Sequence, residues 1–373
     1  MRNTLLAVLL FLTAYIPLQP VMAQEPAGIP EAQYRARVER VREEGSRTNN
    51  GISLPYQIVD VTILDGNLKD HTVTIHHGDV FSIDKSKFVR KNDTVVLLYT
   101  SGTDGTPAFT IIDSYRLPTL IPYLIIFAAA VILLSRWRGV GSILGMFVSL
   151  LVIARWIVPQ ILSGQDPLTV SIIGCLVIMI VTMYLAHGFS AQTTVALFAT
   201  LCTLLVTGAL SVIFVHTMHL TGLGSEDAYS LKLGMSTIVN FRGLLLGGML
   251  IGVLGVLDDV TTGLTAAIYE LHRANKKLSL WQLMTAGLRV GREHVASLVN
   301  TLVLAYAGAS LPIFIVLVTN PNSYPLWSIL NSEMIMEEIV RTLSGSFGLI
   351  FAVPLTTFFA AWYLTIPERR KHT

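Results

Sequence analysis

The sequence predicts a membrane protein, mainly α: a bundle of about seven transmembrane helices preceded by a small exported β-rich, OB-like domain. Three observations carry this. Hydrophobic residues make up 52% of the chain against 13% charged, with mean hydropathy +0.61, a composition of the membrane class. After Arg116 apolar runs near span length recur, and before it short runs alternate with period two between turn signals. The net charge of +2 over 373 residues suits no polyanionic partner, so nucleic acid is not expected. Cys175 and Cys202 both sit in apolar runs, which suggests small core residues and no disulfide framework.

From the amino terminus, Arg2, an apolar run over 5–16 and Val21-Met22-Ala23 read as a secretory signal peptide over 1–23. A retained anchor is the alternative, but the run is shorter than the roughly 20 residues a span needs. Residues 24–52, rich in Arg35, Arg37, Arg40, Arg42, Glu39, Glu43 and Glu44, read as a polar linker or solvated helix. Over 53–116 the runs QIVDVTIL, HTVTIHH, VFSI, TVVLLY and FTIID predict strands of a small barrel, with turns at Asp65-Gly66-Asn67, Lys91-Asn92-Asp93 and 102–105. His71, His76 and His77 lie here. Adjacent histidines on a strand point to opposite faces, which favours solvated side chains over a metal site.

The transmembrane helical domain is expected over 117–366, with spans near 117–134, 140–161, 168–186, 191–215, 241–260, 295–318 and 339–366, and a short tail over 367–373. An interfacial or re-entrant segment is expected over 230–240. Arg136, Arg138, Arg273, Lys276, Lys277, Arg289, Arg292, Arg369, Arg370 and Lys371 then share the cytoplasmic side, which puts the β-domain outside. A cytoplasmic amphipathic connector is expected over 270–292, with Ser279 and Gln282 forming a capping box.

The stretch from Phe241 to Asn300 holds the candidate site. On a helical period Gly248, Gly252, Gly255, Asp259 and Thr262 share one row, as small residues do at helix-packing seams, whereas Leu250 is expected on the lipid side. Gly243 and Gly247 make a second small pair. Asp258 and Asp259 fall near the inner end of the fifth span, and Glu293, Ser297 and Asn300 share a side of the sixth. On the seventh, Glu337 and Arg341 are spaced to pair. Ionisable groups within a span cost about 2.5–3.5 kcal/mol at a helix centre, so they are normally paired or functional. One reading gives Asp258, Asp259, Thr262, Glu293 and Asn300 a polar pocket or coupling site. The other makes them structural partners, with Arg292 neutralising an aspartate. Both stay open on the sequence.

His216 and His219, followed by Glu226 and Asp227, could hold a metal, but a capped helix end with solvated histidines is favoured. An aspartyl protease, suggested by Leu257-Asp258-Asp259 and Ala352-Val353-Pro354-Leu355, needs a second catalytic aspartate on another span, and none is present. With no phosphate loop, His-Glu-x-x-His or nucleophile motif either, no enzyme activity, metal or cofactor is expected.

Three long motifs, LLLGGMLIGVLGVLDDVTTGLTAAIYEL, GLRVGREHVASLVNTLVLAYAGASLP and EEIVRTLSGSFGLIFAVPLTT, give the chain a resemblance to the YibE/F family of bacterial multi-pass membrane proteins. Glu293 stands where the family motif usually has aspartate after Gly-Arg. The resemblance implies a bacterial plasma membrane and a transporter-like protein for a small solute or ion, and it assigns no role to particular residues. The alternative from another class is a non-transporting scaffold or accessory subunit whose exported β-domain binds an envelope protein. A homo-oligomer is a further possible partner. An apolar patch on the barrel would favour the scaffold, and a polar cavity between the fifth, sixth and seventh spans would favour transport.

Overall fold

The computed structural model describes residues 32–49, 52–78, 83–101, 107–234, 239–312 with 315 and 319, and 325–366. The expected signal peptide, the tail and most of the VFSI strand lie outside the described residues. The chain divides into two compact units, one ending at Ala130 and one resuming at Val131.

The first unit holds five antiparallel strands, β1 (Ala32–Asn49), β2 (Ile52–Ile63), β3 (Thr72–His77), β4 (Thr94–Ser101) and β5 (Pro107–Ser114). Their order is β3-β2-β1-β4-β5, and β3 and β5 also contact each other. The expected linker over 24–52 is thereby corrected, because 32–49 form the central strand. Tyr34, Ala36 and Val38 alternate with Arg35, Arg37 and Glu39, and the inner row packs on Val59, Val61, Ile75, Val95 and Leu97. Beyond Val38 the register to β2 slips twice, so the alternation fades in the second half of the strand. Gly66 (φ 72°) and Asn92 (φ 71°) take the left-handed conformation in two of the expected turns.

Asp60 is the buried charge of this unit. Its carboxylate accepts from Arg42 at 2.7 Å, Arg40 at 3.1 Å and Thr74 at 2.8 Å, which ties β1 and β3 to β2. The Arg42 hydrogen bond, helped by those from Thr74 and Arg40, lowers the carboxyl from its ordinary 3.8 to about 2. The rings of His71 and His77 each meet a backbone carbonyl, of Lys69 and Lys87. Among the described residues no group of three or more His, Cys, Asp or Glu is placed to hold a metal.

The second unit is helical, and the first of its helices begins within the first unit, before Val131. Among the described residues five helices are long and apolar enough to cross a membrane: α1 (Leu117–Leu162), α2 (Pro167–His187), α3 (Ala191–Thr217), α5 (Phe241–Ala274) and α8 (Glu333–Thr365). Between them lie α4 (Glu226–Gly234), α6 (Leu280–Ala309) and α7 (Leu326–Leu330). Side chains accept the free N–H groups at several starts: Asp166 from Thr169, Ser190 from Thr193, and Asn240 from Gly243.

At 46 residues α1 would be about 69 Å long if straight, twice what a bilayer core needs. It is not straight. Arg136 has φ 55° and ψ −131°, and a Cβ on Gly139 would lie 2.6 Å from the carbonyl oxygen of Val131. Residues eight apart on a straight helix are about 12 Å apart, so the chain folds back at Arg136. The second limb packs closely on α2, where Gly141 abuts the Leu185 carbonyl and Gly145 abuts Thr182.

Two expectations about the later helices are corrected. The fifth span, expected over 241–260, is part of a 34-residue helix that continues to Ala274. The expected connector begins with the predicted capping box at Ser279 and Gln282, but α6 then runs unbroken to Ala309 and contains the first half of the expected sixth span. The helix continues because Gly287 and Gly291 are packing contacts rather than breaks: a Cβ on Gly291 would lie 2.3 Å from Val353, and one on Gly287 2.6 Å from Thr357.

Within an otherwise large aliphatic core, the inner side of α3 carries short hydroxyl-bearing side chains. Thr200, Thr203, Thr207 and Ser211 on α3 are buried, and each donates to the carbonyl four residues back. This satisfies them within their own helix and leaves short side chains at the contact. Gly348 of α8 sits so near Thr207 that a Cβ would lie 2.7 Å from its hydroxyl.

Candidate functional site

Asp258 and Asp259 stand on α5 where one side of the helix is packed and the other is open. Leu257, Val260 and Leu264 are buried in the core, and so is Leu250, which corrects its expected lipid-facing position. Neighbouring helices cover α5 on several sides, α2, α3, α6 and α8 among them. The expected seam of Gly248, Gly252 and Gly255 is also corrected. These glycines are exposed, and an added Cβ would meet only the ends of Arg341 and Tyr306 at 3.8 and 3.7 Å, or nothing at Gly255. The close contact of α5 with α2 is instead at Gly247, where a Cβ would lie 2.2 Å from the Ser171 hydroxyl.

Gly255 opens onto a cavity of about 350 Å³ between the second limb of α1, α2 and α5. Its polar lining is Ser142 and Ser149 of α1, Thr182 and His187 of α2, and Asp258 and Asp259 of α5. Asp258 is partly buried, and its Oδ1 is closed off from solvent with no hydrogen-bond partner among the described residues. Asp259 is exposed to the cavity, within electrostatic reach of His187, which in turn feels Arg138. One turn further along α5, Thr261 meets Thr200, nine residues or about 14 Å into α3 from Ala191. The aspartates therefore lie part-way along α5, on a side that the open cavity leaves uncovered.

Of the residues expected to share a pocket, the structure brings together only the two aspartates. Thr262 donates to the Asp258 carbonyl at 2.8 Å and is tied to its own helix. Glu293 and Asn300 are exposed on α6 and do not line the cavity, and Arg292, also exposed, forms no ion pair among the described residues. A polar cavity is present where it was expected, between the fifth, sixth and seventh spans, lined by Gly248 of α5, Ser310 at the end of α6 and Glu337, Glu338 and Arg341 of α8, but the two aspartates line a separate one between α1, α2 and α5. Periodicity showed which residues share a face of α6, but not that this face turns away from α5.

The expected Glu337–Arg341 pair is corrected as well. Arg341 pairs with Glu338 at 3.3 Å, and the buried Glu337 accepts from the Gly224 N–H at 3.0 Å. Glu333, one turn earlier, accepts from the Thr221 hydroxyl at 2.7 Å and the Gly222 N–H at 3.0 Å. Gly222 and Gly224 permit this approach, since a Cβ on Gly224 would lie 2.8 Å from the Glu337 carboxyl carbon. Beside this loop lies that cavity between α5, α6 and α8, of about 770 Å³, which Glu226 and Asp227 of α4 also line.

Sequence reasoning missed His187, Ser142, Ser149 and Thr182. Ser142 and Ser149 are seven apart, two turns on one helix face, and His187 ends a span before Gly188; those were the available signals.

The family described as YibE/F-like protein matches the chain over residues 123–366. No curated protein and no solved structure matches it.

Proposed function

Since the chain belongs to the YibE/F-like protein family, we propose that it is a multi-pass permease for a small solute or ion, with Asp258 and Asp259 as its polar station. The observation that carries this is the cavity of about 350 Å³ inside the helical unit, where the buried Oδ1 of Asp258 has no partner among the described residues. A carboxylate oxygen held this way in a membrane bundle is costly unless a solute, an ion or a proton meets it.

The reading counts seven crossings: two limbs of α1, then α2, α3, α5, α6 and α8. With a cleaved signal peptide, the β unit lies outside a bacterial plasma membrane and the carboxyl terminus in the cytoplasm, because the basic connectors then share the inner side. The β unit is read as OB-like, supported by the order β3-β2-β1-β4-β5 and by the contact of β3 with β5. A scaffold whose sheet binds an envelope partner needs an apolar patch. Among the described strand residues Ile112 is the single exposed large hydrophobic side chain.

The test compares metal and metabolite contents of cells lacking the protein, overproducing it, or overproducing Asp258→Asn or Asp259→Asn. A solute or ion whose content follows the unaltered protein and reverts in either variant, at equal membrane abundance, supports the permease. Contents that never differ, or variants that act as the unaltered protein does, would reject it.

A further inference from the structure

We propose that the outward face of α6 is the interface through which two copies of this chain pair side by side in the membrane. One side of α6 is spent inside the bundle: Leu283 and Leu302 are buried, and Gly287 and Gly291 press on Thr357 and Val353 of α8. On the opposite side Arg289, Glu293, Ala296 and Asn300 are exposed, and Val303 is exposed at the rim of an apolar groove shared with α8. Their spacing alternates four, three, four, three, which is the seam of a parallel two-stranded coiled coil.

This face is polar where lipid would be expected. Leu302 and Val253 flank Gly345 together, and Val253 lies twelve residues, about 18 Å, along α5 from Phe241. Asn300, half a turn from Leu302, is therefore near the middle of a hydrocarbon layer about 30 Å thick. Among the described residues Arg289, Arg292, Glu293 and Asn300 have no hydrogen-bond or ion-pair partner. An amide facing hydrocarbon without a partner is costly, so this stripe is built to be covered.

A second copy covers it with complementary groups. A two-fold axis along the membrane normal brings equal heights of the two helices together. Asn300 then meets Asn300 of the other copy, the pairing that fixes register and two-strandedness in coiled coils. Glu293 seats as a knob beside Arg289 and Arg292 of the other copy, and the reverse contact forms at the same height. At equal heights Glu293 also faces Glu293 and Arg289 faces Arg289 of the other copy, and each like pair is offset by the opposite charges one position along the seam, while the Asn300 amides satisfy each other.

The test uses the full chain in native membranes, with Cys175→Ala and Cys202→Ala, and Val303→Cys as reporter. Mild oxidation is expected to give an adduct of twice the monomer mass, whereas Leu205→Cys, exposed on α3, gives none. No adduct at Val303→Cys, or one whose mass requires a different protein, overturns the proposal. So does a mass of one chain per particle for unaltered protein in lipid nanodiscs. Glu293→Arg should lower the adduct yield about tenfold, and adding Arg289→Glu and Arg292→Glu should restore it. Unchanged yield in the single variant, or no recovery in a triple variant still present in the membrane, overturns the pairing.

Discussion

The hydroxyls of Thr200 on α3 and Thr261 on α5 lie 2.6 Å apart, both fully buried. Each hydroxyl has one proton, so with Thr200 donating to the Ala196 carbonyl at 2.9 Å, Thr261 donates to Thr200 rather than to the Asp258 carbonyl at the longer 3.2 Å. The pair therefore joins two helices, and if Thr200 is removed the Thr261 proton can turn back to the Asp258 carbonyl of its own helix. Polar contacts between membrane helices average near 0.6 kcal/mol, because the unfolded reference also finds partners. A double-mutant cycle of Thr200→Val and Thr261→Val, read by denaturation in detergent, should give a coupling of about 0.5–1.5 kcal/mol. A coupling of zero would mean that the contact holds nothing together.

Glycines on opposite sides of α5 should behave oppositely. Gly247→Val drives a side chain into Ser171 and Pro167 of α2 and should cost about 1–3 kcal/mol as overpacking. Gly252→Ala, with its nearest neighbour 3.7 Å away at the Tyr306 hydroxyl, should stay within about 0.5 kcal/mol of the unaltered protein. Thermal denaturation of the two variants side by side measures this.

Asp259 and Arg292 should act independently. Arg292 is exposed on α6 and outside the cavity that holds Asp259. The effects of Asp259→Asn and Arg292→Gln on stability should therefore add within about 0.5 kcal/mol. A double variant clearly more stable than the sum would restore the salt bridge that the structure replaces.

The β unit should weaken in acid. Asp60 has a folded pKa of about 2 against an ordinary 3.8, so its unfolded form binds the proton first. Its contribution is fully present above about pH 4 and is lost as pH falls toward 2. Pepsin digestion of the full chain should cut within β1 to β3 increasingly over that window. Asp60→Asn should flatten this dependence and leave the strands more open at pH 4.

The sequence by itself determined the solvent of each part and the local grammar of the chain. Composition placed the helical unit in a membrane, period two placed β2 to β5, and Ser279 with Gln282 marked the start of α6. These depend on neighbours within a few residues, which a linear reading contains. The strand β1 was hidden because its outer face carries enough arginine and glutamate to read as a linker, although Tyr34, Ala36 and Val38 already alternated. The candidate site was legible only as far as the two aspartates. Helical periodicity told that Gly248, Gly252 and Gly255 share a row, and that Glu293 and Asn300 share another. Only the tertiary structure decided which neighbour each row faces: the glycine row is open, and the Glu293 row turns outward. The physical reason is that a period fixes the relative orientation of residues on one helix, whereas its rotation in the bundle is set by close contacts with others. Here those contacts are Gly247 on Ser171, Gly291 on Val353 and Gly348 on Thr207, between residues far apart in the chain.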